Sequence, residues 1–79
     1  MEAYHFINHS DGHRAGRIYS VWLQQDLFGE WAVLRVHGGR RRAAAMIVTV
    51  VESQEAGEQL VRQICRVRVR HGYLLDRGD

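Results

Sequence analysis

The feature that most constrains the fold is a change of hydrophobic period near Ser53. Before this residue, apolar side chains alternate in three runs typical of β-strands, RIYSVWL (17–23), EWAVLRVHGG (30–39) and AAMIVTVVES (44–53). After it, apolar residues recur at helical spacing, at Ala56, Leu60, Ile64 and Val67. Three strands followed by one helix predict a small α+β domain, with a C-terminal amphipathic helix packed on a twisted antiparallel β-sheet.

Both ends of the helix carry recognisable signals. Ser53 is a favourable N-cap, and Glu55 and Glu58 lie where the helix dipole favours negative charge. Gly72 is a favourable residue for terminating the helix. We therefore predict a helix over residues 53–70.

Length and composition allow a single folded domain. The chain has 79 residues, of which 46% are hydrophobic, a fraction typical of a folded core.

Residues 1–16 are polar and contain turn-forming residues, so we interpret them as a leader. The domain proper is predicted over residues 17–75, with a short tail at 76–79. The large aromatic side chains, Tyr19, Trp22, Phe28 and Trp31, are predicted to lie in the core.

The distribution of charge is more informative than the net charge of +2. All the basic side chains apart from histidine are arginines. Residues 31–51 contain four arginines and no acid, and residues 59–75 contain four more arginines, again with no acid. This asymmetry predicts a basic face, for which nucleic acid is an obvious partner.

Several function classes find no support in the sequence. The single Cys65 excludes an internal disulfide, and no apolar run reaches the roughly 18 residues that span a bilayer. The first residues lack the pattern of a signal peptide, so we expect a cytoplasmic protein without a membrane association. His5, His9 and His13 are evenly spaced, but the turn residues between them argue against a metal site. Since no catalytic or cofactor motif is present, we predict neither enzyme activity nor a cofactor.

A resemblance to a known family rests on several features that keep their register. They are the turn Asp26-Leu27-Phe28-Gly29, followed by Trp31, and the closing stretch Arg70-His71-Gly72-Tyr73. From Arg17 to Tyr73 the chain resembles a bacterial WGR domain. The resemblance implies an antiparallel sheet closed by a helix. WGR domains of poly(ADP-ribose) polymerases bind DNA near strand ends or breaks, partly through the Trp and Arg of the signature.

The chain departs from the family at the signature itself. His37, Gly38 and Gly39 stand where Trp, Gly and Arg are expected, so only Gly38 matches. The DNA-contacting roles of the signature therefore do not transfer to His37 or Gly39.

The next three residues, Arg40, Arg41 and Arg42, suggest a replacement for the missing signature arginine. Three guanidinium groups on a hairpin loop, beside glycines that allow close approach, suit phosphate binding. We predict these arginines as the principal contact, with His37 stacking on a sugar or base and Gly38 at the same strand end. Secondary attraction is predicted from Arg35, Arg66 and Arg70.

Each of these features also has a purely structural interpretation. The arginine run could be a solvated loop that keeps the hairpin end in water. His37 could be an ordinary strand-end histidine. The helix stripe Arg62, Arg66 and Arg70, with Arg68, could be a charged solvent face, and it gains significance only if it shares a side with the hairpin.

The leading hypothesis is a nucleic-acid-binding domain, with DNA ahead of RNA, that contacts the phosphate backbone with little sequence specificity. The alternative is a protein-interaction or self-association module that lost DNA binding together with its signature. A third alternative is an accessory subunit that acts only in complex with a larger enzyme.

Overall fold

The computed structural model describes residues 3–9, 15–39 and 42–78, which form five strands and one helix. In chain order the elements are β1 (Ala3–Asn8), β2 (Ile18–Gln25), β3 (Trp31–Gly39), β4 (Arg42–Val51), α1 (Gln54–Arg70) and β5 (Tyr73–Gly78). The strands pair antiparallel in the order β4-β3-β2-β1-β5. The predicted α+β class, an antiparallel sheet with a helix towards the C-terminus, is confirmed. Within the described residues, no helix is both long and apolar enough to cross a membrane.

The segment interpreted as a leader contributes a strand to the interior of the sheet. Strand β1 pairs with β2 on one side and with β5 on the other. Phe6 and Asn8 are buried, and the Asn8 side-chain amide donates a hydrogen bond of 3.0 Å to the carbonyl of His71 at the end of α1. This contact joins the first strand to the last turn of the helix. Residues 3–8 therefore belong to the folded domain, and the sheet has five strands where the sequence patterns predicted three.

The hydrophobic core lies between α1 and one face of the sheet. Tyr19, Val21 and Leu23 of β2 are all buried, which confirms that they share the inward face. Val33 of β3 is also buried, and Val61 and Ile64 come from the helix. Gly57 lies where α1 crosses the sheet most closely, because a Cβ atom there would overlap the Leu23 side chain.

The helix begins and ends close to the predicted residues. Ser53 is the N-cap, and its hydroxyl oxygen accepts a hydrogen bond of 3.1 Å from the Ala56 amide. His71 is the C-cap, and Gly72 follows with φ of 88°, a conformation that glycine adopts without strain. The turn at Gly72 sends the chain directly into β5.

Not all the predicted core aromatics are buried. Tyr19 is buried and Trp31 packs partly against the core, whereas Trp22 is half-buried. Phe28 is 93% exposed, so its prediction as a core residue is wrong. The Asp26 carboxylate accepts hydrogen bonds from the amides of Phe28 and Glu30, and this tight turn directs Leu27 and Phe28 into solvent.

Candidate nucleic-acid interface

A groove lies on the helix side of the sheet, where the end of α1 faces the β3–β4 hairpin. We call it the basic groove, and its volume is about 530 Å³. Its walls combine cationic, aromatic and small residues. They are Arg17, Tyr19, His37, Gly38, Gly39, Ala43, Ala45, Ile47, Arg68 and Tyr73. None of these lining residues is acidic, so the groove presents positive charge with no internal counter-charge.

One wall of the basic groove is formed by three aromatic rings and a guanidinium, those of Tyr19, His37, Tyr73 and Arg68. Tyr19 and His37 face each other across β2 and β3, with ring centroids 6.0 Å apart and planes inclined by 16°. The Arg68 guanidinium carbon lies 4.6 Å from the centroid of the Tyr19 ring and 5.7 Å from that of Tyr73. Both arrangements are within the range of cation–π attraction. The tyrosines therefore hold the guanidinium at the groove surface.

The guanidinium of Arg68 retains hydrogen-bonding capacity that the fold does not use. Its Nε atom is buried and has no hydrogen-bond partner. A guanidinium presents five N–H donors in a planar fork that matches phosphate geometry. The position of Arg68 on the wall of an open groove therefore suits an anionic ligand that contacts the guanidinium from the groove.

The hairpin end brings polypeptide backbone to the same groove. The pairing of β3 with β4 is irregular between His37 and Gly39, and Gly39 pairs with Arg42. A Cβ atom on Gly38 would lie 3.4 Å from the backbone of Ala44, an ordinary contact distance, so the packing against β4 does not itself require glycine. This bulged strand end leaves Gly38 and Gly39 on the groove wall, as their sequence position suggested.

The remaining predicted arginines differ in position. Arg35 lies on the helix side of β3, next to the groove but outside its lining, and its buried Nε atom has no hydrogen-bond partner. Arg66 lines a different groove, beside Phe6 and Leu75 on the β1–β5 side of the helix. Arg70 is exposed in the last turn of α1. The structure therefore brings His37 and Gly38 together with Arg68, and it places Arg66 on another side of α1.

The three arginines predicted as the principal phosphate contact, residues 40–42, are neighbours of groove residues in the sequence. Arg40 and Arg41 lie outside the described residues, and Arg42 is the first residue of β4. Since the groove lining includes Gly39 and then Ala43, these three arginines stand between two lining residues in the sequence.

Sequence reasoning missed Arg17, Tyr19 and Tyr73 as groove residues and placed Arg68 with the helix stripe. Helical geometry offered a usable signal for Arg68, because residues two apart on a helix differ by about 200° and lie on nearly opposite sides. No comparable signal existed for Tyr73, whose position depends on the pairing of β5 with β1.

The chain offers little for metal binding or thiol chemistry among its described residues. They contain no group of three or more His, Cys, Asp or Glu side chains that could hold a metal ion. The ring of His5 is hydrogen-bonded to the Ser20 hydroxyl at 2.8 Å, and His13 lies outside the described residues. Burial raises the pKa of the Cys65 thiol above its ordinary value, which disfavours the reactive thiolate.

Comparisons of the chain with protein-family models, with curated proteins and with solved structures found no match.

Proposed function

We propose that this protein binds DNA through the basic groove, mainly by contacting the phosphate backbone. The observation that carries the proposal is the Arg68 guanidinium, which lies over Tyr19 on the wall of a groove that has no acid among its described lining residues. Arg17 adds a second cation on the groove wall. Arginine contacts of this kind position a nucleic acid without reading its sequence.

The aromatic side chains of the groove suit the sugars and bases next to those phosphates. Tyr19 is buried and covers one side of the His37 ring, while His37 itself is only half-buried. A partly accessible ring in a cationic groove can stack on an unpaired base, as single-strand-binding surfaces do. DNA near an end or break offers both phosphates and unpaired bases, and the resemblance to WGR domains favours that same target.

The first test compares two single variants on one helix. Arg68→Gln and Arg66→Gln remove the same charge, but Arg68 lines the basic groove and Arg66 does not. We expect fluorescence anisotropy with labelled blunt, nicked and single-stranded DNA to show that Arg68→Gln lowers the affinity at least about tenfold, since a hydrogen bond to a charged group contributes about 1.5–3 kcal/mol. The affinity of Arg66→Gln should remain within about twofold of wild type, because Arg66 is an exposed charge outside the basic groove and is screened by salt. Equal losses would contradict the groove as the binding site.

The second arm addresses the hairpin arginines. Replacing Arg40, Arg41 and Arg42 together by Ala is compared with replacing the helix residues Arg62, Arg66 and Arg70, so that both variants lose three charges. In the hairpin variant, the slope of log affinity against log salt concentration should become shallower by about 0.9 for each phosphate contact removed. The helix variant should keep a slope closer to that of wild type. If wild type does not bind DNA even at low salt, the proposal fails.

A second candidate function is a protein-interaction or self-association module. A specific observation favours it, because large apolar side chains remain exposed on the edge strand β4 and on the β2–β3 turn. They include Met46, Val48 and Val50, together with Leu27 and Phe28. Exposed apolar surface beside an unpaired strand edge is typical of an interaction site.

A further inference from the structure

The sheet is apolar on both faces, but the helix covers only one of them. Directly paired residues of neighbouring strands lie on the same face. Val21 and Val33 are fully buried on the helix side, so Trp22 and Leu34, which pair with each other, lie on the opposite side. We call that side of β2, β3 and β4 the open face. Its large apolar side chains are Ile18, Trp22, Leu34, Val36, Met46, Val48 and Val50.

The composition of the open face is unusual for a surface in contact with water. An antiparallel sheet with one solvated face normally alternates apolar residues inward with polar residues outward. Only the even-numbered residues of 18–24 in β2, 32–36 in β3 and 44–50 in β4 lie on the open face. None of these residues is charged. Met46, Val48 and Val50 are each more than half exposed. Such a face is expected to be covered in the working form of the protein.

We propose that a second copy of this chain covers the open face, so that two sheets pack face to face in a two-fold symmetric dimer. This proposal rests on the second candidate function and names its partner. The face, as defined on β2, β3 and β4, carries no charge that would select a partner of opposite charge, and an apolar patch can pack against a second copy of itself, as a two-fold interface requires. Aligned sheets pack about 10 Å apart with interdigitated side chains, which suits the Val, Leu and Met residues found here.

The size of the open face is sufficient for this interface. Together with the same side of β1, where Ile7 pairs with Ile18, the open face extends over four strands. At a spacing of about 4.8 Å, and with about eight residues of about 3.3 Å each, four strands cover roughly 500 Å² in projection. Counted on both copies, this reaches the roughly 1,000 Å² that separates specific interfaces from incidental contacts. The dimer would also supplement a small hydrophobic core, since domains of this length rarely gain much stability from one core alone.

The dimer leaves the basic groove accessible. The groove lies on the helix side of the sheet, whereas the interface uses the other side. A face-to-face dimer therefore has a helix layer on each outer surface and one basic groove on each. Such a particle can hold two segments of DNA at once.

The test is the mass of the untagged full chain by sedimentation velocity over a wide range of micromolar concentrations. Wild type should sediment at twice the monomer mass of 9.1 kDa. Val48→Arg places a charge at an exposed position of the open face, and it should weaken the dimer at least about tenfold, since an unpaired buried charge is strongly unfavourable. Gln63→Arg adds the same charge at an exposed position of α1 and should leave the dimer intact.

Two results would overturn the proposal. One is a wild-type chain that stays monomeric over the whole range, which would leave the open face to a different protein. The other is a Val48→Arg variant that dimerises as tightly as wild type, which would place the interface elsewhere. Circular dichroism checks that each variant is folded, and Val50→Arg replaces Val48→Arg if that variant does not fold. DNA anisotropy on the same samples keeps the two proposals separate, because a monomeric variant with an intact basic groove should still bind DNA.

Discussion

Arg68 has two roles in the structure, because it packs on aromatic rings of the fold and also lines the basic groove. Its guanidinium packs on Tyr19 and Tyr73, yet its Nε atom has no hydrogen-bond partner. A buried donor without a partner costs about 1–3 kcal/mol, so the fold holds this guanidinium over the two tyrosines at a cost in stability. Arg68 is thus more informative about function than exposed arginines, whose solvation is already complete.

The sequence predicted residue positions well where local geometry determines them. The alternation of β2 correctly placed Tyr19, Val21 and Leu23 on the inward face. It could not place Phe28, because the direction of that side chain depends on hydrogen bonds to the Asp26 carboxylate within the turn. Hydrophobicity alone therefore gave the wrong answer for a turn residue.

The close crossing of helix and sheet at Gly57 leads to a testable expectation. Gly57→Ala would place a methyl group against Leu23, which is buried, and within 3.2 Å of Val51. Overpacking costs about 1–3 kcal/mol, whereas alanine gains up to about 1 kcal/mol in helix propensity. We expect a net loss of about 1 kcal/mol in the free energy of unfolding, measured by urea denaturation. The exposed neighbour change Glu58→Ala should stay within about 0.5 kcal/mol. A stabilised Gly57→Ala protein would show that the helix can move away from the sheet.

Helix α1 was predictable as an element and strand β1 was not. The helix carries its own signals in sequence, namely the Ser53 cap, the apolar spacing and the terminal Gly72. Strand β1 is defined by partners far along the chain, since it pairs with β2 and with β5. Its buried Asn8 also breaks the apolar alternation, and the Asn8 side-chain amide donates a hydrogen bond to the distant carbonyl of His71. Only the tertiary structure explains that residue.

The N-cap of α1 gives a prediction at the scale of the element. Ser53→Ala removes the acceptor of the Ala56 amide and should lower the free energy of unfolding by about 1 kcal/mol. Ser53→Asp keeps an acceptor at the same position and adds a charge that the helix dipole favours, so it should remain close to wild type. Urea denaturation of the two variants tests this difference. Equal destabilisation would contradict a capping role for the hydroxyl.

At the scale of the whole molecule, the order of the strands makes the first residues essential. Strand β1 lies between β2 and β5, so its removal would detach β5 and the end of α1 from the sheet. The sequence interpretation of residues 1–16 as a leader would instead allow them to be removed without loss.

Deletion of residues 1–9 distinguishes these two views. We expect the truncated chain to lose its cooperative thermal transition, followed by circular dichroism, because two buried side chains and two rows of strand pairing disappear together. An excess of a peptide comprising residues 1–9 should restore part of the signal if the strand itself is what is missing. A truncated chain that melts cooperatively at the wild-type temperature would support the leader interpretation.

The measurement that tests the central claim most directly is a two-dimensional amide NMR titration of the full chain with a short single-stranded DNA and with a blunt duplex. We expect the largest shifts at Arg17, His37, Gly38 and Gly39, together with a shift of the Arg68 side-chain resonances as the guanidinium contacts phosphate. Amides near Cys65 and Leu75, on the β1–β5 side of the helix, should change little. Shifts centred on that second groove, or no shifts at low salt, would contradict DNA binding by the basic groove.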